Sequence, residues 1–203
     1  MRKRLVILTL ILIIIGTLEW IGAFKEVNIK INNLIPKGGT IALLITTLGD
    51  FIVVFLMITA AIAVQLKKEK LPLEEIIRPY LSLILTTLSV GVLKIIFGVP
   101  RPGVTEISDR IKDVKLLAFP SGHTARTSGF ARYLMERFPK YKIIWVLLPL
   151  SVGISRLLLH VHWFSDVLFG FFYGPWIAEV VKTTQDIWAR PIRRLEKWGL
   201  KKY

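Results

Sequence analysis

Ser155-Arg156-Leu157-Leu158-Leu159-His160-Val161-His162-Trp163-Phe164-Ser165-Asp166 joins two long apolar runs and carries an arginine, two histidines and an aspartate. Charged groups that face lipid cost about 3 kcal/mol or more each, so residues kept at such a place read as a site. His162 and Asp166 are four apart and share a face if the segment is helical. The carboxylate can then accept one imidazole N–H and fix the tautomer. The other ring nitrogen is left free to attack or to accept a proton. Arg156 adds a permanent charge on a fork that fits phosphate oxygens. This combination points to phosphate chemistry.

The rest of the chain is built to hold such a site in a membrane. Its 203 residues are 53% hydrophobic, with a mean hydropathy of +0.57. Both values exceed those usual for a soluble domain. The apolar residues fall in runs of membrane-spanning length. The expected fold class is therefore all-α, a polytopic membrane bundle forming one integral domain over residues 1–203. The net charge is +14, but the Lys and Arg residues lie between and after the apolar runs. That distribution serves topology and attraction to membrane lipids, and no nucleic-acid partner is expected. The absence of cysteine excludes disulfides, thiolate catalysis and cysteine-ligated zinc or iron–sulfur sites.

Six transmembrane helices are predicted. The first covers Leu5 to Phe24 behind the basic cap Met1–Arg4, with Glu19 and Trp20 as interfacial anchors. Lys25 to Gly39 reads as a polar loop. The second helix runs from Thr40 to Leu66 and contains Asp50, a buried carboxylate and candidate substrate contact. Pro72 interrupts the charged turn that follows. The third helix starts at Ile76 or Pro79 and ends near Val99, where Pro100 and Pro102 stop it. Gly103 to Phe119 has apolar residues at helical spacing, which predicts a short interfacial helix in the outer loop between helices 3 and 4. The fourth helix opens at Pro120-Ser121-Gly122-His123 and ends near Phe138. It is too polar to face lipid and should be surrounded by protein. The fifth covers Tyr141 to His160, and the sixth Trp163 to Val181. The basic tail, Lys182 to Tyr203, is expected on the membrane surface.

The loop charges set the orientation. With the N-terminus inside, seventeen Lys and Arg fall in the inner loops and tail, and seven in the outer loops. The positive-inside rule then puts both termini in the cytoplasm. Lys94–Arg101, Ser121–His123 and Arg156–Asp166 all reach the outer face.

These three segments resemble the motifs of a known family. Lys94 with Arg101-Pro102 matches Lys-x6-Arg-Pro, Pro120-Ser121-Gly122-His123 matches Pro-Ser-Gly-His, and Ser155-Arg156 with His162 and Asp166 matches Ser-Arg-x5-His-x3-Asp. In that order they are the motifs of the type 2 phosphatidic acid phosphatases, lipid phosphatases related to vanadium haloperoxidases. The resemblance spans Lys94 to Asp166, and the six-helix pattern extends it over most of the chain.

The resemblance implies a role for each residue. His162 is the expected nucleophile, oriented by Asp166. His123 is the expected general acid. Lys94, Arg101 and Arg156 are expected to stabilise charge on the phosphoryl oxygens, with Ser121 and the Gly122 amide adding hydrogen bonds at a helix start. Such a scheme needs no metal or other cofactor, and its partner is a phosphorylated lipid. His160-Val161-His162 with Asp166 could also suggest a zinc site. Three surrounding cations would repel a metal ion, so His160 is expected to be packed or interfacial.

Arg126 is not required by the motifs. It lies three residues after His123, on the same helix face, as a candidate contact to a second phosphate or as a partner of Asp50 or another buried carboxylate. With the small chain and the outward site, it leans the substrate toward a polyprenyl diphosphate. The alternative is a glycerolipid phosphate such as phosphatidic acid or phosphatidylglycerophosphate. A non-catalytic transporter or scaffold is a separate reading. Intact His123, His162 and Asp166 argue against it.

Overall fold

The computed structural model describes residues 2–199. Met1, residues 200–203 and the side chains beyond Arg194 lie outside the described residues, and with them the tail's Lys197, Trp198, Lys201 and Lys202. Ten α-helices follow one another, and no strand occurs among the described residues: α1 (Arg2–Trp20), α2 (Lys25–Leu34), α3 (Thr40–Thr47), α4 (Phe51–Leu66), α5 (Leu73–Phe97), α6 (Gly122–Arg137), α7 (Lys142–Leu158), α8 (Phe164–Thr183), α9 (Gln185–Trp188) and α10 (Arg190–Gly199).

Two helical stretches, α5 and the continuous run Pro139–Leu158, are each long and apolar enough to cross a membrane. The pairs α1–α2 and α3–α4 meet that test only when taken together, bent by 89° and 57°. The polar α6 and the long α8 do not meet it. They form the centre of the bundle, which is why α6 can carry so many polar residues. Thr124, Thr127, Ser128, Gly129 and Phe130 are all buried there. Small residues let the two backbones approach. A Cβ on Gly174 would stand 2.0 Å from the Ala125 carbonyl oxygen, and one on Gly170 would stand 2.7 Å from that of Ser121. Phe119, Phe169 and Tyr173 fill the adjoining core with Leu12 and Ile15 of α1.

Three expectations are corrected. The predicted polar loop after the first span is largely helix α2. Gly22, at φ 75°, turns the chain, and Asn28 then anchors α2 to α8 by donating to Ser165 Oγ at 2.8 Å and accepting the Ser165 amide at 3.1 Å. The second predicted helix is broken at Leu48–Asp50, so Asp50 is the N-cap of α4 and half-exposed. The expected interfacial helix in Gly103–Phe119 is absent. Only the 3-10 turn Val114–Leu116 forms there. Asp109 accepts the amides of Ile111 and Lys112, and Asp113 accepts that of Asp109. Such local bonds compete with a helix. Of the apolar residues that suggest a helical stripe, Leu117 and Ala118 are fully buried beside Phe119, whereas Ile111 is 70% exposed.

One end of the bundle is tied by ion pairs. Glu179, 1% exposed, accepts Arg132 Nε at 2.7 Å and Arg4 Nη1 at 3.1 Å. Glu136 accepts Lys182 Nζ at 2.6 Å and Arg78 at 3.2 Å, and Glu75 pairs with Arg137. Arg193 Nε reaches Glu74 Oε1 at 2.8 Å, which seats the start of α10 on α5. All three sequence motifs gather at the opposite end.

Candidate active site

The site forms where α5 ends, α6 and α8 begin, and α7 ends. Gly98, at φ 64°, terminates α5 just past Lys94. The chain then runs through Pro100 and Arg101 and pairs with the segment before α6: the Arg101 amide donates to Leu116 O at 3.0 Å and the Ala118 amide to Val99 O at 2.7 Å. This short ladder holds Lys94 and Arg101 together. Lys94 Nζ donates to Leu117 O, and to Ala118 O at 3.0 Å, while Arg101 Nε lies 3.4 Å from Leu117 O.

His162 occupies the turn between α7 and α8 and is 2% exposed. Its Nδ1 lies 3.0 Å from Asp166 Oδ2, which also accepts the Trp163 amide at 2.7 Å. The expected pair is therefore formed, with Nε2 free of it. Burial, then the charges of Lys94, Arg156, Arg101 and His123, hold the His162 imidazole well below the ordinary histidine range. Charges from all three motifs thus bear on one imidazole. Trp163 adds a strut by donating from Nε1 to Pro100 O at 2.8 Å. Asp166 Oδ1 is buried without a hydrogen-bond partner.

Arg156, 8% exposed, donates from Nη1 to Thr46 Oγ1 at 2.8 Å, and its Nε is buried without a partner. A buried guanidinium with an unspent donor is suited to an anion. Gly38 lets the α2–α3 link lie on the end of α7, since a Cβ there would stand 2.9 Å from that of Leu158. This close approach brings Thr46 of α3 to Arg156.

Ser121 is fully buried. Its amide donates to Asp166 O at 3.0 Å and its hydroxyl shares a 3.0 Å hydrogen bond with Thr124. It links α6 to α8 at the site's base, with its hydroxyl already engaged. The amides of Gly122 and His123, in the first turn of α6, have no acceptor within the helix. His123 Nε2 lies 2.9 Å from Asp50 Oδ1, and Arg126 Nη2 lies 3.4 Å from His123 Nδ1. Arg126 Nε donates to Gly49 O at 2.8 Å. Asp50 therefore partners His123, and Arg126 braces the backbone beside Asp50.

Several site residues escaped the sequence reading. Asn28 and Thr46 lie in segments with no motif, and only the fold brings them close. Glu19, expected as an interfacial anchor, is half-buried beside Ser165 instead, with Oε2 buried and unbonded. His160 sits in the left-handed region at φ 53°, its Nε2 3.2 Å from Ile35 O, and is held at the α2–α3 link. Among the described residues no three His, Asp or Glu side chains gather as a metal-ligand set.

Comparison with known proteins places this geometry in a family. Residues 76–188 match the profile of the PAP2 superfamily. Lipid A 1-phosphatases from Rhizobium johnstonii and Rhizobium etli are each 30% identical over 61 residues, or 30% of this chain. The match spans about a quarter of those relatives' length, 25% and 26%. The crystal structure of a transmembrane PAP2-type phosphatidylglycerolphosphate phosphatase from Bacillus subtilis superposes with a TM-score of 0.71 at 25% identity, covering 90% of this chain and 96% of that one. Aquifex aeolicus LpxE shares the fold, with a TM-score of 0.57 at 22% identity over 78% of this chain and 93% of that one.

Proposed function

The chain belongs to the PAP2 superfamily, and on that footing we propose that it is an integral membrane lipid phosphatase working through a phosphohistidine. The observation that carries this reading is the buried His162–Asp166 pair, on which the charges of Lys94, Arg156 and Arg101 bear. His162 Nε2 attacks phosphorus as the bond to the lipid oxygen breaks. His123 gives that oxygen a proton. Water then attacks the phosphohistidine, His123 takes a proton from it, and inorganic phosphate leaves. The three cations offset charge on the phosphoryl oxygens throughout. They fill the part that a metal plays in other phosphatases, so the scheme asks for none.

The end of the bundle that carries Arg4, Arg78, Arg132, Arg137 and Lys182 lies opposite the site. By the positive-inside rule, both termini are cytoplasmic and the site faces outward.

A phosphomonoester lipid is the first substrate class. Arg126, which had suggested a diphosphate, spends its Nε on Gly49 and sets Nη2 against His123. The likeness to the Bacillus phosphatidylglycerolphosphate phosphatase, over nearly the whole of both chains, supports the same class. Polyprenyl diphosphate is the second reading. One observation favours it: Arg126 Nη1 borders Gly122, 3.3 Å from where a Cβ would stand there, within reach of a second phosphate.

Phosphate release by purified protein in detergent tests these points. Phosphatidylglycerophosphate and a prenyl diphosphate are offered side by side with a chelator present and His162→Ala as background. Release that survives chelation and vanishes in the variant is expected. Loss of release on chelation would overturn the metal-free scheme. Arg126→Ala separates the substrates, because selective loss on the diphosphate would restore the diphosphate reading.

A further inference from the structure

The α3–α4 break is pressed onto the first turn of α6. A Cβ on Gly49 would stand 2.6 Å from that of His123, so this contact needs glycine. Arg126 Nε fixes the same turn through Gly49 O, and Asp50 Oδ1 then meets His123 Nε2 at 2.9 Å. The His123 side chain is 21% exposed and that of Asp50 is 51% exposed, so the carboxylate stands between the imidazole and water.

A general acid must carry a proton when the lipid arrives. The charged and titratable groups bearing on His123 are Arg126 from its own helix, Arg156 from α7, His162 from the turn before α8, and Asp50 from the break. Burial first, then Arg156 and Arg126, push the His123 imidazole down to about 3, and Asp50 is the group that opposes them. Because Asp50 accepts at Nε2, that nitrogen carries the hydrogen, and Nδ1 is left toward Arg126.

Resting on the phosphatase reading above, we infer that Asp50 is a positioning residue for His123: it keeps Nε2–H aimed outward and, once the lipid phosphate has offset Arg156 and drawn Arg126 off Nδ1, supports the imidazolium until the lipid's leaving oxygen takes the Nε2 proton. As the phosphorus–oxygen bond breaks and the His162–phosphorus bond forms, the proton passes from His123 to the lipid oxygen. When water attacks, the His162–phosphorus bond breaks and a water proton returns to His123. Its carboxylate shares the Nε2 hydrogen bond with the arriving oxygen.

Leaving groups provide the test. Asp50→Asn keeps the shape and an acceptor oxygen but loses the charge. Its kcat is compared on a short-chain phosphatidic acid, whose leaving oxygen needs a proton, and on p-nitrophenyl phosphate, whose leaving group departs without one. The loss on the alkyl ester should exceed that on the aryl ester by about tenfold or more, since general acid catalysis contributes about 10²–10⁴-fold. The alkaline limb of the pH profile should move about one unit lower, and Asp50→Glu should recover part of the ratio. Equal losses on both esters with an unmoved alkaline limb, in protein with an unchanged melting temperature, would make Asp50 a structural brace only and overturn the inference. No phosphate from either ester with the wild-type protein would instead overturn the phosphatase reading, and this inference with it.

Discussion

Asp166 holds His162 with the same oxygen that receives the Trp163 amide: Oδ2 is 3.0 Å from Nδ1 and 2.7 Å from the backbone nitrogen. The carboxylate closes the first turn of α8 and orients the imidazole in a single conformation. Its rotamer is set by the helix start, so the His162 ring inherits the precision of the backbone.

Asp166→Asn keeps the volume and can keep one of these bonds, but it cannot favour a positive charge on His162. The expected loss in kcat is about hundredfold or more, on the scale of the carboxylate's part in other His–Asp pairs. KM should change by less than about threefold. Steady-state phosphate release beside a thermal melt checks this, and an equal loss of stability and activity would contradict it.

The pH profile follows from the sign of the His162 shift. Burial and the neighbouring cations push this imidazole down, so it stays neutral as pH falls through the ordinary histidine value of about 6.5. In the proposed scheme neutral His162 is the attacking form. The acid limb of kcat/KM should therefore lie below about 6.5. The unfolded chain takes up its proton first, so the His162 contribution to stability is lost as pH drops below that value. An acid limb at or above the ordinary value would mean that His162 is not the group being titrated.

Gly174 and Gly91 form a matched pair of glycine tests. At Gly174 a Cβ would collide with the Ala125 carbonyl and the Ser128 hydroxyl, whereas at Gly91 it would meet nothing within 4 Å. Gly174→Ala should cost about 3 kcal/mol or more through forced separation of α6 and α8. Gly91→Ala should be neutral or stabilising by up to about 1 kcal/mol, because alanine suits a helix interior better. Melting temperatures in one detergent decide both.

Asn28 reaches the site from α2. Its two hydrogen bonds to Ser165 seat that helix beside the start of α8. Asn28→Ala leaves the buried Ser165 amide without its partner, at about 1–3 kcal/mol. Activity should fall about tenfold through loosened placement of the His162 turn. Asn28→Asp should recover part of it, since an acceptor for the amide returns. Phosphate release by the two variants checks the order.

Much of this was legible in the residues. Lys94, Arg101, His123, Arg156, His162 and Asp166 sit in motifs at helix ends, and alternating loops put those ends at one side of a bundle. The buried character of α6 followed from its polarity. Asp50, Arg126 and the loop before α6 were less legible. The apolar run continues past Gly49, which gives no strong signal of a break, so residue spacing alone puts the Asp50 carboxylate at mid-helix depth. The helical spacing of Ile107, Ile111, Val114 and Leu117 does not end in a helix: only Leu117 reaches the core, Ile111 stays exposed, and Asp109 and Asp113 take the backbone bonds a helix would use. Asn28 offered no signal, since its value lies in Ser165, 137 residues away.

Residue order alone was enough for the helical class, the membrane setting and the three motifs of the candidate site. Those depend on composition and on spacing along one chain, which physics reads locally through hydropathy and the helical repeat. Only the tertiary structure decided that Asp50 faces His123, that Arg126 braces Gly49, and that Asn28 and Thr46 complete the site. Those contacts exist because glycines let helices approach to backbone distance, and such an approach depends on partners that no local pattern specifies.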